Sequence, residues 1–319
     1  MQAAVRAQKQ YILDCRLPCG TFRLGPERNQ VNPYFTNLAL IPMIGLGELK
    51  IVQEHIDWYL QNRNENGYVN DFVIRGELLE DTGAADSEDS YHATLFSLLA
   101  EWVRYAEDIV WLKDREQECL ELLEGIGRLQ QNDGLTWAKG SYRVKYLMDN
   151  CEVAKGLEDA AFLFSLLGNK TACKEAELRA EACRQGIGRM YSPLRKSFAV
   201  YGRIFPSWRK WYPDATSQAF PIVYGIASAE IARLLYSRIT RSFPQFERFQ
   251  TGDPYPWMTM GVCALRMGDL ARVNRMLATA QAMYVEGPRR PYWLIHEAGR
   301  FMELAMEVAN IRCQPGQNV

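Results

Sequence analysis

The sequence predicts an all-α chain folded as an (α/α)6 toroid, six helical hairpins closed into a double ring. Three observations predict it. Helical periodicity runs from end to end, while alternating β-branched stretches are nearly absent. The helical segments are of two kinds, amphipathic and apolar nearly all round, and the two kinds alternate along the chain. The connections alternate as well, short in one direction and mostly long in the other.

Taken in order, residues 3–15 form an amphipathic outer helix and 35–44 the first apolar, inner one. Gly45-Leu-Gly47 then supplies a tight left-handed stop before an outer helix over 48–63. The next inner helix, 91–111, carries Leu95, Phe96, Leu98, Leu99, Trp102, Val103 and Tyr105 around its whole circumference, so it must be buried on all sides. In the outer helix over 113–131, Leu120, Leu123 and Ile126 share one side, and Glu116, Glu121, Glu124 and Arg128 lie mostly opposite. Inner 152–167 turns at Gly168-Asn169 into outer 170–190. Inner 216–237 is followed by a short outer helix near 241–250. Inner 256–267 turns at Gly268-Asp269 into outer 269–284, and inner 292–309 completes the set. Long connections over 64–90, 132–149 and 191–215 lead from outer to inner helices, so tight turns gather at one end and long loops at the other, forming one functional face.

An open helical-repeat solenoid is the competing architecture, since Leu265-Arg-Met-Gly-Asp-Leu-Ala-Arg looks like a repeat turn. Solenoid units keep a nearly fixed period because each stacks on the last, whereas these loops vary from a few residues to more than twenty. One closed ring of twelve helices assigns all of residues 1–319 to a single domain.

Composition narrows the function classes. The 319 residues are 48% hydrophobic, enough for a full core, and 37 basic residues nearly cancel 38 acidic ones. No global field would draw in nucleic acid or an anionic bilayer, so neither is an expected partner. Cys15, Cys119, Cys151, Cys173, Cys183 and Cys263 fall in helical segments and read as reduced core residues. Cys15 and Cys19 lack a second Cys or His pair at ligand spacing, so no zinc site is expected. The N-terminus shows no signal-peptide core, and no apolar run reaches the ~18 residues of a membrane span. A soluble, cytoplasmic protein is the expectation. There is no glycine-rich phosphate loop, nucleophile elbow or His-Glu-x-x-His stretch, and only three histidines, so no cofactor or metal is expected.

The inner helices are entered through polar, aromatic stretches: Asn32-Pro-Tyr-Phe-Thr-Asn37, Asp86-Ser-Glu-Asp-Ser-Tyr91, Tyr146-Leu-Met-Asp-Asn-Cys-Glu152, Trp211-Tyr-Pro-Asp-Ala-Thr216, Gly252-Asp-Pro-Tyr-Pro-Trp257 and Arg289-Arg-Pro-Tyr-Trp293. Converging on the ring axis, they would make an aromatic, acidic cup. Pyranose rings present C–H faces that stack on aromatics and hydroxyls that bond carboxylates. Glycoside hydrolysis needs two carboxyl groups across the scissile bond.

Asp86-Ser-Glu-Asp-Ser-Tyr-His-Ala-Thr-Leu-Phe and Asp149-Asn-Cys-Glu-Val-Ala-Lys-Gly-Leu, followed by Tyr212-Pro-Asp-Ala-Thr, resemble the six-hairpin glycosidases. The likeness takes in the endoglucanase and unsaturated glucuronyl hydrolase branches and helical proteins of bacterial polysaccharide operons. It implies action on a bacterial oligo- or polysaccharide. It also implies that Asp149 is the general acid or acid/base, with Asp86 or Asp89 the partner carboxylate. Asn150-Cys-Glu152 departs from the small or apolar continuation of the glucuronyl hydrolase branch.

Each candidate has a structural reading beside the chemical one. Asp149 and Glu152 are spaced as a capping box, and Asp86, Glu88, Asp89 and Asp214 are placed to favour a helix dipole or cap. Glu297, beside His296, is an alternative acid. Trp58, Trp102 and Trp111 read as core. Tyr34, Glu88, Trp137, Tyr142, Lys145, Trp211, Tyr212, Asp214, Tyr255, Trp257 and Trp293 are expected to bind substrate. Arg143, Lys145, Arg203, Arg209, Lys210, Arg289 and Arg290 suggest a basic rim suited to an anionic glycan. The reading is therefore a glycosidase using Asp149 with Asp89 or Asp86. The alternative is a non-catalytic glycan-binding or scaffold protein of polysaccharide biosynthesis, and a third, an epimerase or lyase, would need a His or Tyr base, His92 and His296 being the histidines so placed.

Overall fold

A computed structural model describes residues 2–313. In chain order the first half holds α1 (Gln2–Asp14), β1 (Gln30–Val31), α2 (Pro33–Ile44), α3 (Leu49–Gln61), β2 (Phe72–Arg75), β3 (Leu78–Asp81), α4 (Glu88–Ala106), α5 (Ile109–Lys113) and α6 (Glu116–Leu129). The second half holds α7 (Leu147–Leu167), α8 (Lys170–Met190), β4 (Tyr191–Ser192), β5 (Ser197–Phe198), α9 (Phe220–Val223), α10 (Ala229–Ser242), α11 (Thr259–Arg266), α12 (Leu270–Ala280) and α13 (Ile295–Cys313).

The inner ring closes. Helix α2 packs on α4, α4 on α7, α7 on α9, α9 on α11, α11 on α13, and α13 returns to α2. Around it, α3 lies against α2 and α4, α6 against α4 and α7, α8 against α7, α12 against α11 and α13, and α1 against α13. An all-α toroid is thus observed. The inner helices approach closely because small residues meet at their crossings. A Cβ on Gly156 of α7 would lie 2.5 Å from the Cα and O of Ala93 on α4, and one on Gly299 of α13 would lie 2.8 Å from the Cα of Ala39 on α2. Only glycine fits there without moving a backbone. As expected, Gly168 (φ 75°) and Gly268 (φ 74°) end inner helices in the left-handed conformation.

Two boundaries differ from the sequence reading. The inner helix expected over 91–111 stops at Ala106, where Glu107 turns left-handed (φ 54°) and α5 makes a separate short helix. More substantially, the inner helix expected over 216–237 is two elements. Gly225 (φ 63°) turns the chain and Ser228 caps α10 by accepting the Ile231 amide, so α9 is inner and α10 outer. The outer helix expected over 241–250 is only a 3₁₀ turn, Phe246–Arg248. The apolar run from Ala219 to Ala227 hid this hairpin, although α10 buries only Ala232, Leu235 and Ile239, an amphipathic stripe.

Short strands in the long loops were not expected. β1, β2 and β3 form an antiparallel sheet, with β2 and β3 paired from Phe72–Asp81 to Arg75–Leu78 around a left-handed Gly76; β4 pairs with β5. No described helix is long and apolar enough to cross a membrane.

Candidate active site

The long loops surround the ring axis and enclose a cavity of about 1340 Å³, larger than the roughly 300–1,000 Å³ of a typical small-molecule pocket. The order of the inner ring places α7 opposite α13. Both send carboxylates into the cavity, Asp149 and Glu152 from α7 and Glu297 from α13.

Asp149 and Glu152 are three residues apart and share one helix face. Helix α7 is preceded by Tyr146 with no side-chain cap, so the capping-box arrangement does not form and both carboxyls are available to the cavity. Glu152 sits on the buried floor, where its Oε1 accepts the hydroxyls of Tyr34 (2.7 Å) and Tyr224 (3.3 Å). Burial and then the charge of Asp149 push its pKa up to about 8. Asp149 is itself pushed up to about 6 by burial, with the Ser87 hydroxyl opposing and Asp86 adding to the rise. At neutral pH Glu152 keeps its proton while Asp149 is mostly ionised.

Asp89 lies behind the cavity wall, fully buried. It accepts Ser87 Oγ (2.6 Å), Thr136 Oγ1 (2.5 Å) and the Ser90 amide (2.7 Å). Burial, followed by the charge of Asp149, raises it well above the carboxylate range. Ser87 Oγ also meets Asp149 Oδ2 at 3.0 Å. One hydroxyl proton cannot serve two carboxylates, and a neutral Asp89 supplies the second. Asp86 is exposed and lines the cavity. Glu88 instead accepts the Gly140 amide at 3.0 Å, tying the 138–146 loop to α4.

Opposite α7, Glu297 is buried. Its Oε2 accepts the Met258 amide at 2.7 Å and its Oε1 lies 3.2 Å from His296 Nε2. The His296 ring stacks on Phe35 with centroids 4.1 Å apart, which holds it beside Glu297. Arg300, one turn further along α13, also reaches the cavity and gives Nη1 to Glu303 (2.6 Å).

The aromatic walls are built in pairs. Tyr34 stacks on Tyr91 with centroids 5.9 Å apart, and Tyr212 on Trp257 at 4.9 Å, with the Trp257 indole held by Asp253 at 3.1 Å. The hydroxyls of Tyr142 and Tyr146 meet at 3.1 Å, and Tyr255 packs edge-on against Tyr292. All of these rings except that of Tyr292 border the cavity.

Among the residues expected to bind substrate, Tyr34, Tyr142, Trp211, Tyr212, Tyr255 and Trp257 border the cavity. Trp211 does so as part of the wall, its ring packed on Phe243 and Phe246. The others lie elsewhere. Trp137 sits under the Arg143 guanidinium, Lys145 pairs with Asp133 at 2.6 Å, and Asp214 accepts the Ser207 amide at 2.6 Å. Trp293 is core, donating its indole N–H to Gln8 at 2.8 Å and so joining α1 to the loop before α13. Of the expected basic rim, Arg209 and Lys210 border the cavity, together with Arg28 and Lys139. Sequence reasoning gave Glu152 only a capping role and missed Tyr224 and Arg300. The spacings Asp149/Glu152 and Glu297/Arg300 were the available signal, since residues three apart share a helix face.

Fold and site together define a helical toroid with a carboxylate-lined axial cavity. A scan against protein-family models finds no match, and neither does a search of curated proteins. Solved structures do match. A rhamnosidase from Klebsiella oxytoca with rhamnose bound superposes with a TM-score of 0.69 at 12% identity, over 96% of this chain and 64% of that one. An alpha-amylase from Clostridium perfringens gives 0.65 at 10% identity, covering 96% and 97%. A glycosidase variant in complex with glucose gives 0.70 at 10% identity, covering 96% of both chains. The chain therefore has the fold of these glycosidases and spans about two thirds of the length of the first.

Proposed function

We propose that this protein is a glycosidase that cleaves an oligo- or polysaccharide held in the axial cavity. One observation carries the reading: Glu152 lies on the buried floor of an aromatic cavity, where burial and Asp149 favour its protonated form, and another carboxyl, Glu297, borders the same cavity from the opposite helix. Glu152 protonates the glycosidic oxygen as the bond to the anomeric carbon breaks, and Glu297 acts on the opposite side of the sugar, where water or the carboxylate itself attacks. The Met258 amide fixes Glu297 Oε2 and His296 Nε2 stands beside Oε1, the oxygen assigned this role. Asp149 serves the acid side by raising the proton affinity of Glu152, with the neutral Asp89 and Ser87 behind it. Tyr212 and Trp257 supply a stacking platform for a neighbouring sugar. The shared fold with sugar-bound glycosidases supports the reading.

A screen of neutral and uronic oligosaccharides against wild type, Glu152→Gln and Glu297→Gln tests it. A cleaved substrate should emerge, with turnover falling roughly 10²- to 10⁴-fold in each variant while binding persists. Undiminished turnover in both variants would overturn the carboxyl assignment. Asp149→Asn should move the alkaline limb of the pH profile downward, because Glu152 then loses the charge that helps hold its proton.

A further inference from the structure

A second concavity, of about 510 Å³, opens on the same loop face beside the outer helices. It is bordered by Arg248, Phe249 and Gln250 from the turn after α10, by Arg275, Ala278 and Thr279 at the end of α12, and by Met283 and Arg289 beyond it. Three guanidinium groups thus converge on one hollow whose lining contains no acidic side chain. Glu247, beside Arg248 in the chain, is buried and meets Arg272 as well as Arg275 Nε (3.3 Å). Arg289 gives Nη1 to the Tyr284 hydroxyl at 3.3 Å, a neutral partner, and Arg248 makes no ion pair or side-chain hydrogen bond among the described residues. Only Arg275 of the three has a carboxylate partner; an anion would relieve the repulsion among them while receiving bidentate guanidinium bonds.

The hollow neighbours the axial cavity along the chain. Gln250 borders one and Thr251 the other, and the segment through Tyr255 forms the ridge between them. The Tyr255–Tyr292 pair stands exposed on that side, an aromatic surface over which a sugar chain can pass. On the cavity side of the same face lie Arg28, Lys139, Arg209 and Lys210.

We propose that this arginine hollow is a distal subsite for an acidic polysaccharide, holding a carboxylate or sulfate several sugars away from the residue in the axial cavity. The inference rests on the axial cavity being the glycan site. It makes the substrate a polymer and gives the protein a preference for long, charged chains over short or neutral ones.

Binding measurements in the Glu152→Gln background separate the two readings. Short and long polygalacturonate oligomers, neutral dextran oligomers of matching length and inorganic sulfate would be titrated calorimetrically against that protein and against the same protein carrying Arg248→Ala, Arg275→Ala and Arg289→Ala. A milder Arg248→Glu variant guards against misfolding of the triple one. Expected is a loss of roughly tenfold or more for the long acidic oligomer alone, with a weaker salt dependence of its affinity. Equal affinity of the long acidic oligomer for both proteins overturns the subsite. So does an equal loss for dextran, or arginine-dependent binding of sulfate without any advantage of the long oligomer. Failure of every oligosaccharide to bind the Glu152→Gln protein would instead remove the glycan reading of the axial cavity.

Discussion

Replacing Glu152 by Gln should stabilise the fold at alkaline pH. The amide keeps the shape of the side chain, and its carbonyl can still accept the Tyr34 and Tyr224 hydroxyls, but it has no proton to lose. In the wild type, burial and Asp149 raise the Glu152 pKa from 4.5 to about 8. Between those values the folded chain holds a proton that the unfolded chain has released. Stability from this group is therefore complete below pH ~4.5 and is lost as pH rises through about 8. At ~1.4 kcal/mol per tenfold change in proton affinity, the difference amounts to on the order of 4 to 5 kcal/mol. Urea unfolding of both proteins at several pH values from acid to alkaline would show it. The advantage of Glu152→Gln over wild type should grow across that window and level off above it. A constant difference between the two proteins at every pH would refute the raised proton affinity, and with it the reason for assigning Glu152 as the acid.

Three further outcomes follow from packing and stacking. Gly156→Ala drives a methyl to within 2.5 Å of the Ala93 backbone on α4, an overpacking that should cost about 1–3 kcal/mol or more and lower the thermal midpoint. Trp257→Ala removes half of the pair formed with Tyr212 and should weaken oligosaccharide binding roughly five- to tenfold, by loss of a stacking surface worth ~1 kcal/mol. Trp293→Phe is the contrast: losing the bond to Gln8 should cost about 1 kcal/mol of stability, read by urea unfolding, and leave binding unchanged.

The closed ring was legible because burial leaves a periodic mark. An inner helix such as α4 is apolar around its whole circumference, an outer one such as α6 on a single stripe, and Gly168 and Gly268 mark the tight turns between them. Where the mark fails, so does the reading. Across α9 and α10 the apolar run continues through the turn, and Gly225 alone signalled the change of direction. The loop strands escaped for a related reason: Leu78-Leu-Glu-Asp81 has no β-branched alternation, and its pairing with Phe72–Arg75 depends on the hairpin rather than on the residues themselves.

By itself the sequence determined the helical class, the alternation of inner and outer helices, the gathering of aromatics and acids at one end, and the candidacy of Asp149. The tertiary structure alone decided which of those side chains face the axis. Asp86, Glu88 and Asp89 lie within four residues of one another, yet one borders the cavity, one ties down a loop and one is sealed behind Ser87. Trp257 and Trp293 both follow a Pro-Tyr stretch, yet one walls the cavity and the other fills the core beside α1. Closure of the ring also brings α13 opposite α7, so that Glu297 and Glu152, 145 residues apart in the chain, border one cavity. Local spacing specifies a helix face, but what that face meets, water, a neighbouring helix or a carboxylate across a cavity, depends on packing between distant segments, and that packing sets the proton affinities on which the proposed chemistry rests.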